Sequence, residues 1–292
     1  MSSHTKGLIL VTLSALAYSM AGFFTRLISL DIWTTLFWRG LFAGVFIAGF
    51  VLYREGRNAW PATRAIGWPG VIAAVLSTTA TVMFLNAFRR TSVADVMVIA
   101  ATIPFFTAAF GWLWLRETEN WSTLAASLGA VLGVSVMVGG AIGRGHLFGD
   151  ALAFGMALSM AFVLLIIRRH RERSMLPATC LSALLCPIIV APVAAPLAIS
   201  GTDLLLLALF GTVQFGLGLM LLALGGQLVT ATENALVSTV ETPAAVLLVW
   251  LAFQDVPPLA SVVGGLIVLG AVAGHVLWSS HSGAGAQQSA TT

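Results

Sequence analysis

Glu241 lies near the middle of an apolar run and two residues before Pro243, a setting in which a carboxylate has few uses. It can accept an ammonium group, exchange a proton, or bond the backbone carbonyl that the following proline leaves free. A fixed charge at that depth costs several kcal/mol unless water, a partner or a proton relieves it. At helical spacing, Glu241 shares a face with Asn234, Val237, Ser238 and Ala245. An earlier run carries a matching face of Asp95, Val98, Ile99, Thr102, Phe105 and Phe106 around the like-placed Pro104. A wall of hydroxyls, an amide and aromatic edges suits a small amphipathic solute; the competing reading is close helix packing, which Ser and Thr also serve in membranes. Polar side chains set in other apolar runs extend the candidate solute-binding set to Tyr18, Thr78, Asn86, Thr102, Ser159, Gln214, Ser238 and Glu241, with Pro104 and Pro243 as candidate hinges. Arg39 lies near one end of its run, where its stem can carry the charge to the interface; the alternative is a clamp for a carboxylate. A lone His275 offers no metal site and reads as a packed, hydrogen-bonded imidazole.

Long apolar runs must position all of these residues. Ten are expected, at 6–28, 33–53, 67–88, 93–115, 121–141, 147–167, 178–198, 204–226, 232–253 and 258–279. Each is long enough to cross about 30 Å of hydrocarbon. Composition agrees: 59% of residues are hydrophobic and 9% are charged, and the mean hydropathy is +0.98. The connections are too short for a soluble catalytic or nucleotide-binding domain, so any chemistry belongs within the membrane. The formal charge of +3 does not point to nucleic acid, because the basic residues are scattered between spans, where they orient the chain. With a cytoplasmic N-terminus, nine of the 14 Lys and Arg fall inside and four outside, which predicts that both termini are cytoplasmic. Lys6 before an apolar run and Ala15-Leu16-Ala17 have the look of a cleaved leader, yet the run continues through Phe24, so the first span is expected to stay. Cys180 and Cys186, six residues apart in one span, are too distant for a disulfide and read as packing residues.

An internal repeat organises the spans. Asn86 to Phe105 aligns with Gly225 to Ala244 at an offset of 139, which superposes the two prolines, and Tyr18 and Arg26 align with Met160 and Arg168 at an offset of 142. A repeat of five spans is odd, so the second copy must cross the membrane in the opposite sense. The expected fold is an all-α polytopic membrane protein of about ten transmembrane helices in two inverted five-helix repeats, 1–143 and 144–279, followed by a disordered tail, 280–292. Gly129-x-x-x-Gly133 in span 5 and Gly270-x-x-x-Gly274 in span 10 are expected to fasten the halves, and Gly40-x-x-x-Gly44 to give span 2 a close neighbour.

Pro104, the Trp114-Leu115-Arg116-Glu117 run after it, Gly129 and Gly133, and Arg39 in span 2 resemble the EamA-type, ten-helix drug/metabolite transporter superfamily. Two positions depart from its pattern, since Thr242 separates Glu241 from Pro243 and Gln254-Asp255 replaces a span-end Glu. Within the superfamily, the chain looks most like bacterial amino-acid and metabolite exporters, including the YddG type. The resemblance implies a non-ATP, alternating-access exporter of amino acids, aromatic or neutral, in a bacterial inner membrane. Its alternative is an exporter of other metabolites or cationic drugs. No cofactor is expected, and the partners are a small-molecule substrate and the bilayer. A nucleotide-driven pump is excluded by the lack of G-x-x-x-x-G-K-[ST]. An intramembrane enzyme is the remote rival, without H-E-x-x-H or G-x-S-x-G to support it.

Overall fold

The computed structural model describes residues 2–56, 59–91, 93–116, 120–138, 147–195, 199–254, 256–257 and 259–289. The side chain of Asp95, the join between the halves at 143 and 144, and residues 290–292 lie outside the described residues. Ten helical units follow one another, as hydropathy predicts. They are α1 (Ser3–Ser19 and Ala21–Leu27), α2 (Ile32–Glu55), α3 (Gly67–Arg90), α4 (Val93–Ala101, Ile103–Phe110 and the π-helical Gly111–Leu115), α5 (Trp121–Val138), α6 (Leu147–Arg169), α7 (Leu176–Val190), α8 (Gly201–Leu209, the π-helical Phe210–Gly216 and Leu217–Gly226), α9 (Ala231–Ser238 and Glu241–Phe253) and α10 (Leu259–Ser289). Eight of these units carry a stretch long and apolar enough to span a membrane, and α5 and α7 are shorter apolar helices. A short helix, Ala59–Ala65, precedes α3. α10 stays helical through Ser289, into the stretch whose composition marks it as a tail.

Polar caps set where several units begin. Ser2 accepts the Thr5 N–H to open α1. Asp31 accepts from Trp33 and Thr34 to open α2, and Ser200 accepts from Asp203 to open α8. Thr230 and Glu233 form a reciprocal capping box at α9. At the far ends of α4 and α9 the chain turns through left-handed residues, Arg116 (φ 55°) and Gln254 (φ 58°).

The pairing of helices is the same when the halves are exchanged. α5 packs on α10 and α2 on α7, while α3 packs on α6 and α1 on α8. Replacing each helix by its counterpart in the other half returns the same set of pairs. Close approaches follow the same rule. A Cβ on Gly7 would come within 2.7 Å of Leu228 and 2.8 Å of Val229, at the α8–α9 corner, and one on Gly149 would come within 2.7 Å of the Arg90 and Thr91 backbone, at the α3–α4 corner. Gly7 and Gly149 are 142 residues apart, and Arg90 and Val229 are 139 apart, which are the two sequence offsets. Gly133 does fasten α5 to α10, but its partner is Gly264, whose carbonyl a Gly133 Cβ would approach to 2.7 Å. Gly270 and Gly274 meet nothing within 4 Å, because α10 turns Gly264, Val268 and Ala271 toward α5 instead. Gly40 and Gly44 lie against Ala183, Leu184 and Pro187 of α7, the close neighbour expected for span 2.

Candidate functional site

Breaks in α4 and α9 fall just ahead of the two prolines. Without an N–H, Pro243 leaves the Thr239 carbonyl with no partner four residues on, and the Thr242 N–H takes it instead at 3.2 Å. The carbonyl freed by Pro243 therefore does not need Glu241. The Thr102 and Thr239 hydroxyls each donate to the carbonyl three residues back, Ile99 and Leu236, at 2.6 Å, so both breaks are held by the same local bond. Glu241 opens the second segment of α9, and its carboxylate makes no hydrogen bond or ion pair with the described residues.

The π-helical turn of α8 packs against α2 beside Arg39. Such a turn widens the helix by one residue and re-aims its side chains. Here it carries Phe210-Gly211-Thr212-Val213-Gln214-Phe215-Gly216. Gly211 lies so close to α2 that an added Cβ would come within 2.8 Å of the Arg39 carbonyl. Phe215 and Phe210 then lie under the Arg39 guanidinium, with Cζ 4.2 Å and 5.3 Å from the ring centroids. Cation–π contacts of this kind contribute about 2 kcal/mol or more where water is excluded. They leave the guanidinium donors unused, and the buried Nε has no hydrogen-bond partner. The Gln214 side-chain amide donates to the Tyr18 carbonyl at 3.2 Å while its oxygen stays unpartnered. Tyr18 packs on Phe215 with ring centroids 6.5 Å apart. The charges of Arg39 and Glu241 both act on the Tyr18 hydroxyl, and on each other, yet no salt bridge joins them.

Of the residues chosen from sequence, the structure brings Tyr18, Gln214 and Glu241 into one neighbourhood around Arg39. Thr78 donates to the Ala74 carbonyl at 2.9 Å and to the Ser182 carbonyl of α7 at 3.0 Å, with Ser182 in turn donating to Ser77 at 2.8 Å. It is a member of a seam between α3 and α7. Ser159 and Ser238 each donate to the carbonyl four residues back, Gly155 and Asn234, and so spend their donors on their own helices, and Asn86 gives one of its two amide N–H groups to the Val82 carbonyl. Asn234 is fully buried with neither amide atom partnered.

Arg39 is held against aromatic rings of a neighbouring helix, whereas its position near a span end first favours a stem extended to the interface. Rings from the π-helical turn of α8 hold it inside the bundle. Phe210 and Phe215 carry no polar atom to draw notice. The signal for them is the pair of glycines, Gly211 and Gly216, framing a buried glutamine within one apolar run. The described residues contain no group of three His, Cys, Asp or Glu side chains placed to hold a metal ion.

Comparisons with known proteins agree with this architecture. The EamA-like transporter family matches residues 5–139. Solute carrier family 35 member G1 of Mus musculus is 32% identical over 107 residues, 32% of this chain and 29% of its own length. The Homo sapiens protein of that name is 27% identical over 178 residues, 56% of this chain and 48% of its own length, so the chain spans less than half of the curated relatives it matches. A solved structure, described only as the crystal structure of a protein, superposes with a TM-score of 0.80 at 17% identity, over 93% of this chain and 98% of that one, and shares the fold. Over residues 5–139 the chain is thus similar to the EamA-like transporter family, and eight of its helical units are long and apolar enough to cross a membrane.

Proposed function

We propose that the chain exports small zwitterionic metabolites, neutral and aromatic amino acids foremost, across a bacterial inner membrane by alternating access between two inverted five-helix repeats. The observation that carries this reading is the unpaired Arg39 guanidinium, seated on two phenylalanine rings beside Tyr18 and Glu241. A cation and an anion that share a neighbourhood without pairing offer a zwitterion one partner for each end. Arg39 takes the carboxylate, Glu241 takes the ammonium, and the apolar walls take the side chain. Tyr18 and Gln214 add weaker polar contacts that let the solute leave as readily as it enters. Thr102 and Ser238, ahead of Pro104 and Pro243, lie where bending of α4 and α9 opens the site to one side or the other.

Counterflow with purified protein in liposomes tests the assignment. Preloading with phenylalanine or leucine should accelerate entry of the labelled amino acid, in a saturable way. Phenethylamine, which lacks the carboxylate, and phenylpropionate, which lacks the ammonium, should each exchange poorly. If phenethylamine exchanges and no amino acid does, Arg39 is not a carboxylate clamp and the chain carries cationic compounds.

A further inference from the structure

Glu233 is a bridging carboxylate that neither the solute site nor helix capping fully uses. Its Oε2 accepts the Thr230 N–H at 3.0 Å and completes the capping box of α9. Its Oε1 points the other way, to the imidazole Nε2 atoms of His4 on α1, at 3.0 Å, and His275 on α10, at 3.4 Å. One oxygen atom thus joins a helix of the first half to two helices of the second. The contact lies where α1 crosses the α8–α9 corner at Gly7. The repeat-matched crossing, of α6 over the α3–α4 corner at Gly149, has its own tie, in which the Thr91 hydroxyl donates to Asp150 Oδ1 at 2.5 Å. Thr91 and Thr230 are themselves matched at the offset of 139. Both ends of the bundle are therefore tied at equivalent crossings, by different chemistry.

We infer that the His4–Glu233–His275 cluster is a pH-dependent latch that holds the N-terminal end of the bundle closed, and that the Thr91–Asp150 tie is its pH-independent counterpart at the other end. Histidine is the side chain that changes charge between pH 5 and 8. A protonated imidazole adds ionic attraction to its contact with Glu233, whereas a neutral one offers a hydrogen bond alone. The latch is therefore strongest in acid and loosens as pH rises on that face. A threonine hydroxyl does not titrate in that range. The other ionisable groups on helices packed around this part of α9 are Lys6 on α1, Arg116 after α4, and Arg168, Arg169 and His170 at the end of α6; α5 and the nearby end of α8 carry none among the described residues. None of them lies within ion-pair distance of Glu233. The inference rests on the alternating-access reading for its consequence, but its test needs no substrate.

Spin labels on the full-length protein in liposomes report the two ends separately, with Cys180 and Cys186 replaced by alanine. A pair at Lys6→Cys and Leu277→Cys spans the N-terminal end, and a pair at Val136→Cys and Leu147→Cys spans the other. Raising the pH from about 5.5 to about 8 should enlarge the longer-distance population of the first pair about tenfold and leave the second pair unchanged. Glu233→Gln keeps a capping side chain but loses the charge, so it should show the longer distance at both pH values. His4→Gln, at a half-exposed position, should weaken the pH response without loss of folded protein. A first pair that ignores pH, a Glu233→Gln variant that responds as the parent does, or equal responses at both ends would each overturn the latch. Failure of amino-acid counterflow would leave it standing.

Discussion

At the scale of residues, Arg39 is the costly choice. A guanidinium inside the bundle has lost most of its water, and its aromatic neighbours return only part of that cost. A residue kept for packing alone would be cheaper as leucine or methionine, so the unpaired donors are best explained by a ligand that arrives and departs. Arg39→Ala should lower kcat/KM for amino-acid exchange about tenfold or more, since a charge-assisted bond contributes roughly 1.5–3 kcal/mol. Arg39→Lys should recover little of that loss, because an ammonium cannot spread over two rings or offer a planar fork. If Arg39→Lys matches the parent, only the charge matters and the clamp is wrong. Glu241→Gln should weaken recognition of the ammonium end while leaving folding yield unchanged, because no described side chain relies on its carboxylate. Tyr18, Gln214 and Glu241 were legible in sequence as polar groups in apolar runs. The seat of Arg39 is not legible, because the rings that hold it belong to α8 and not to its own helix.

At the scale of elements, proline marks some breaks and leaves others unmarked. The breaks in α4 and α9 are readable from Pro104 and Pro243, and hydropathy locates the starts of all ten units to within about three residues, whereas α7 ends eight residues early and α10 runs ten residues long. The break in α1 at Met20 and the π-helical turn of α8 have no proline to announce them. The turn of α8 is set by tertiary contacts, since Gly211 and Gly216 let α8 sink onto α2 around Phe42 and Phe46. Pro104→Ala and Pro243→Ala would each restore a missing backbone donor and stiffen the unit. Both variants should slow exchange several-fold while folded yield holds, and unchanged rates for both would remove the prolines from the mechanism. Gly133→Leu belongs with stability instead: a side chain wedged against the Gly264 carbonyl and Val268 should cost about 1–3 kcal/mol, read as a lower melting temperature in detergent.

At the scale of the whole molecule, the order of helices is legible in the sequence, because an odd repeat constrains which helices can be neighbours. The ties between helices are not, since His4, Glu233 and His275 are scattered over the chain and only folding assembles them. The bias of Lys and Arg predicts that the latched end faces the cytoplasm. A cysteine placed at Arg171 in a cysteine-free background should therefore resist a membrane-impermeant maleimide added to intact cells. Labelling from outside would invert the molecule.

The two ends also set the shape of the kinetics. In the alternating-access cycle proposed above, unlike ties at equivalent crossings give the inward-open and outward-open states different free energies even with identical solutions on both sides. Such a carrier rectifies. Half-saturating concentrations measured from the two faces of one liposome should differ, and so should the maximal rates, while their ratio, Vmax/KM, stays the same in both directions as detailed balance requires of an uncoupled carrier.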